Sequence, residues 1–162
     1  MHYLKLTIPK QLIILVGMAV FFAVLRVVVT DSTNYLYMIW NLFLASFAFV
    51  ISGMLLAYDE HKKVSTAVLV IVGIVWLLFF PNAPYVVTDI IHMGQGRLMP
   101  QWYDAVLLFT SAWAGMLLGL HSLSHMQKVF RARYSRNITR AILGIAIVIS
   151  SFGIYLGRFL RW

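Results

Sequence analysis

Apolar residues come in five long runs divided by short polar stretches, and this alternation predicts five helices that cross a membrane. The runs cover about 12–29, 35–58, 64–80, 102–124 and 141–160. Each approaches or exceeds the roughly 18 to 20 residues that span a hydrocarbon layer at a rise of 1.5 Å per residue. No stretch alternates with the two-residue period of a strand, which argues against a β-barrel. The expected fold is all-α, an integral membrane helical bundle forming a single transmembrane domain over residues 1–162, with no internal repeat or linker. The first run is too long for a signal-peptide core, carries Arg26 and has no small-x-small cleavage site after it, so it reads as the first membrane helix.

The polar stretches are short. Asp31, Ser32, Thr33 and Asn34 make a turn, and residues 59–63 form a charged loop in which His61 is solvated. Lys128, Arg131, Arg133, Arg136 and Arg140 make a basic loop before the last run. Tyr35, Tyr37 and Trp40 open the second run and Tyr58 closes it, as expected of rings anchored at a membrane interface.

Between the third and fourth runs the pattern breaks. Phe79 to His92 reads Phe-Phe-Pro-Asn-Ala-Pro-Tyr-Val-Val-Thr-Asp-Ile-Ile-His. Pro81 and Pro84 lack an N–H and bias the residue before each away from helical geometry, so the third helix is expected to end here. The chain from Tyr85 to Gln101 then reads as a loop or short re-entrant helix lying at the surface. Gly94-Gln95-Gly96 lacks the flanking strand and helix of a phosphate loop.

Composition sharpens the class. Of 162 residues, 62% are hydrophobic and 11% charged, with a mean hydropathy of +0.87, whereas soluble domains are about 25% charged. The net charge of +8 reads as a topology signal beside apolar runs, and nucleic acid is not an expected partner. With the N-terminus inside, nine of the thirteen Lys and Arg residues are cytoplasmic, and Arg26, Arg97, Arg158 and Arg161 lie outside with the proline-broken segment. The expected location is a membrane that the chain crosses several times. Cysteine is absent, which excludes disulfides, thiolate metal sites and thiol catalysis.

This topology gathers Arg26, Asn41, Asn82, Asp89, His92, Asp104, Arg158 and Arg161 at the outer leaflet. Snorkelling of charges at helix ends explains part of the gathering, but Arg26 and Asn41 lie inside their runs. Asp89 and His92 are three apart and share one face of a helical turn, and Asp104 offers a second carboxylate. Together they are candidates for catalysis, or for holding a divalent cation with an open position for water, the only cofactor the sequence suggests. Ion pairing of the two aspartates with arginines is the simpler alternative. Arg26, Arg158 and Arg161 have forked donors suited to phosphate at head-group level and, with Asn41 and Asn82, form the candidate ligand-binding set. His121 and His125 read as interface residues. Ser111, Gly115 and Gly119, and likewise Gly153 and Gly157, recur every four residues, a spacing that lets helix backbones approach within one chain or between two copies.

The stretches Asn41-Leu42-Phe43-Leu44-Ala45, Phe80 to His92, Trp102-Tyr103-Asp104 and Tyr155 to Trp162 together resemble a bacterial family of small polytopic membrane proteins known only as a domain of unknown function. The resemblance covers most of the chain from the second helix onward. It implies the membrane fold and no activity. Relatives are expected to continue past the Arg-Phe-Leu-Arg-Trp motif, which would make this chain a short member or a fragment.

Three functional readings stand in order. The first is an outward-facing polar pocket that binds an anionic or lipid-linked group, in an accessory or assembly factor embedded in the bilayer. The second is a metal-assisted hydrolase or transferase with His92 as base or ligand. The third is a small transporter or channel.

Overall fold

The computed structural model describes residues 8–93 and 98–160. Its helices are α1 (Lys10–Thr30), α2 (Tyr37–His61), α3 (Thr66–Phe79), α4 (Asn82–Tyr85), a 3-10 helix (Val86–His92), α5 (Gln101–Arg131) and α6 (Arg136–Tyr155). A π-helical turn (Leu156–Leu160) continues α6. Five spans are long and apolar enough to cross a membrane, with residues 66–92 counting as one. The fold is thus an all-helical membrane bundle with a proline-broken segment after the third helix. The described residues contain no strand.

Helix α5 is the centre. It packs along α2, α1, α4 and the 3-10 helix, and 56% of its apolar window is buried, against 17% for α6. Small residues allow this. On α1, Ala19, Ala23 and Arg26 form one buried stripe, and on α2 Ala45, Ala48 and Ser52 form another. In hydrocarbon, close packing and interhelical hydrogen bonds hold helices together. One such link runs through the core: Trp76 Nε1 donates to Ser122 Oγ at 2.7 Å, and Ser122 Oγ donates to the Ala48 carbonyl at 2.9 Å, joining α3, α5 and α2.

Local chemistry sets the ends. Asp31 adopts the left-handed conformation at φ 51°, which Asp tolerates better than most residues, and α1 stops there. Ser65 and Ser135 accept from the backbone N–H of Val68 and Ile138 and cap α3 and α6.

Two boundaries differ from the hydropathy pattern. The expected basic loop is largely helix: α5 runs to Arg131 and α6 starts at Arg136, leaving a tight turn between them. Mean hydropathy falls after Ser124, but Met126, Val129 and Phe130 keep a buried face at helical spacing and extend α5 by two turns. The segment after Pro84 is a short helix as far as His92, one of the two expected forms, but it is not superficial. Phe80, Pro81, Tyr85 and Val86 all keep right-handed helical dihedrals, and Ala83, Val86 and Asp89 are buried at three-residue spacing against α5. The prolines remove N–H groups without reversing the chain, and a tighter helix continues to His92.

Candidate functional site

The broken segment lies deep in the bundle because α5 is thin where it passes. A Cβ on Gly115 would stand 2.8 Å from the Ala83 carbonyl oxygen and 3.0 Å from Val86 Cβ, and one on Gly119 would stand 3.1 Å from Ala83 Cβ. These two glycines therefore serve contact within the chain. Among the described residues, a Cβ on Gly153 would meet nothing within 4 Å, and one on Gly157 would meet only the Tyr85 ring, at 3.9 Å.

Docked there, the 3-10 helix turns Asp89 and His92 to one side, as three-residue spacing dictates. The Arg158 guanidinium reaches them from the π turn. It pairs with the Asp89 carboxylate, donates from Nε to Thr88 Oγ1 at 2.8 Å, and sets Nη1 2.9 Å from His92 Nε2. Since guanidinium only donates, His92 Nε2 accepts in this arrangement. Asn41 donates to the other Asp89 oxygen at 2.9 Å, and the Arg158 cation lies 4.3 Å over the Tyr85 ring.

A second ion pair stands alongside. Arg26, wholly buried in α1, donates from Nε to Asp104 at 2.7 Å and from Nη2 at 3.3 Å. Asp104 sits in the first turn of α5, where the helix dipole favours an anion. The Tyr35 ring lies 3.8 Å beneath the Arg26 cation, and its hydroxyl is 3.0 Å from the His92 carbonyl and 3.4 Å from Asp104. Tyr35 thus ties the two pairs together. Tyr37 stands between them, stacked on Tyr35 and edge-on to the His92 ring. Its hydroxyl oxygen is buried, and like Arg26 Nη1 it finds no partner among the described residues.

Most sequence candidates therefore meet: Arg26, Asn41, Asp89, His92, Asp104 and Arg158 belong to one network at one end of the bundle. Asn82 does not join it. Its side chain donates to the Phe79 carbonyl at 3.0 Å, patching the helix end left by the prolines. Arg161, together with Arg97, Gly94, Gly96 and Trp162, lies outside the described residues. The aspartates take separate arginines, and no group of three His, Cys, Asp or Glu residues able to hold a metal occurs among the described residues.

Sequence reading missed the tyrosines. Tyr35 was expected at the interface but is 2% exposed, whereas Trp40 and Tyr58 do face outward. The available signal was the three-residue step from Tyr35 to Met38 onto the buried stripe of α2. Also missed was an ion pair at the opposite end, where Arg133 holds Asp59 and donates to the Val64 carbonyl at 2.9 Å. The Asp59 carboxylate beside it raises the Arg133 guanidinium above its already high ordinary value, so it stays charged. His121 and His125 lie against Phe49 within the bundle, with His125 Nδ1 3.3 Å from Ser52 Oγ.

A family model described as "Protein of unknown function (DUF1361)" matches residues 40–162. No curated protein and no solved structure matches the chain.

Proposed function

The chain belongs to the DUF1361 family of proteins of unknown function, and from that premise we propose that it binds an anionic group, such as a phosphate head group, at the end of the bundle that carries the paired arginines. The observation that carries this reading is a pair of buried polar groups left unpaired beside the two ion pairs. Arg26 Nη1 and the Tyr37 hydroxyl find no acceptor among the described residues. Arg158 uses three of its five N–H groups in the bonds described above. Both aspartates already accept from two side chains or more. Buried donors call for an acceptor, and phosphate or carboxylate oxygens supply several at once. No comparable observation favours metal-assisted hydrolysis or transport.

The same reading sets the protein in a bacterial cell membrane with its N-terminus in the cytoplasm and this end outside, a polarity supported by the excess of Lys and Arg on the other side. Tyr37→Phe gives the test. It removes a hydroxyl that no described protein group uses, so the melting temperature should hold. Binding of glycerol 1-phosphate, followed by calorimetry in neutral detergent, should weaken about tenfold, the low end for a hydrogen bond to a charged group. An unchanged affinity, or no binding by the unmutated protein, sinks the proposal.

A further inference from the structure

An apolar slot of about 170 Å³ runs between α4, α5 and α6, lined by Pro84, Gly119, Leu123, Ile147, Ser151 and Ile154 among others. It exists because α6 touches the bundle sparsely. Along the chain, two residues of the slot's lining adjoin the arginine network. Pro84 precedes Tyr85, whose ring carries the Arg158 cation, and Ile154 lies one turn before Arg158.

We infer that this slot seats one hydrocarbon chain of a membrane lipid whose anionic head group is held by the two N–H groups of Arg158 that bond no acceptor among the described residues. The inference rests on the anion-binding reading and makes the ligand a lipid, not a free anion. Size selects the occupant. A cavity of about 150 Å³ takes a six-carbon ring, so this slot takes a chain segment of similar size, whereas a helix about 10 Å across does not enter it. Charge selects the head. The Arg158 side chain keeps 9% of its surface exposed while its Asp89 partner keeps 1%, so an approaching lipid meets the cation first.

The experiment places a photoreactive benzophenone side chain at Leu120, which edges the slot, and in a separate preparation at Ile71, which faces outward on α3. The protein is reconstituted in vesicles of phosphatidylcholine with a minority of phosphatidylglycerol, and cross-linked lipids are identified by mass spectrometry. Phosphatidylglycerol should be enriched about fivefold at Leu120 over Ile71, the effect of roughly one basic side chain on an anionic lipid. Arg158→Gln should abolish the enrichment. Ser151→Phe, which fills the slot without touching the clasp, should do the same. Equal lipid composition at the two positions overturns the inference. If glycerol 1-phosphate still binds in that case, the site takes a soluble anion and only the lipid assignment falls; if it does not, both readings fall.

Discussion

Arg26 and Asp104 form the most buried ion pair among the described residues, at 0% and 1% exposure, and they meet in a fork suited to guanidinium and carboxylate. Water does not compensate a charge there, so each depends on its partner. Arg26→Met should lower stability by about 3–5 kcal/mol, because it leaves Asp104 uncompensated, and adding Asp104→Leu should recover most of the loss. Thermal denaturation of the single and double variants in detergent measures the coupling; strictly additive losses would show that the pair does not act as a unit. That Asp89 and His92 share a face was readable from their spacing. Which arginine each aspartate takes was not, since Arg26 is 78 residues from Asp104 and Arg158 is 69 from Asp89.

Elements obey a finer rule than hydropathy. The prolines end α3 where expected, yet the chain stays helical, because Asn82 and the backbone of Ala83 and Tyr85 satisfy the carbonyls of Phe79, Phe80 and Pro81. The seat for that segment is made by glycine. Gly115→Ala puts a methyl against a backbone oxygen that does not yield, and should destabilise by about 1–3 kcal/mol. Gly153→Ala meets open space and should be neutral, or stabilising by up to about 1 kcal/mol through helix propensity. Melting temperatures separate the two, and equal responses would contradict the packing. The repeat of small residues was visible in the sequence; that its α5 half faces Ala83 and Val86 within the chain emerged only from the fold.

At the scale of the whole molecule, α6 is a lightly packed strap whose outer turns are clasped by Arg158. Arg158→Met should therefore speed amide exchange over residues 153–160 and leave α5 and α2 as they are. Uniform acceleration across all helices would mean the clasp supports the entire bundle. The orientation proposed above is open to a direct check, since the chain has no cysteine. A single cysteine at Ser32 should react with an impermeant maleimide added outside intact cells, and one at Ser135 should not.

The number and approximate extent of the spans, the break at Pro81, and the gathering of polar residues at one end followed from the sequence. Each depends on length, local backbone chemistry or charge bias, which are properties of neighbours along the chain. Tertiary structure decided that Tyr35 bridges two ion pairs, that Asn82 patches a helix end, that Met126 to Phe130 prolong α5, and that Arg26 Nη1 and the Tyr37 hydroxyl are buried without a partner among the described residues. Those outcomes depend on which faces meet and how closely. A pattern along one dimension says which face is apolar, but the partner of a buried charge is chosen by packing in three.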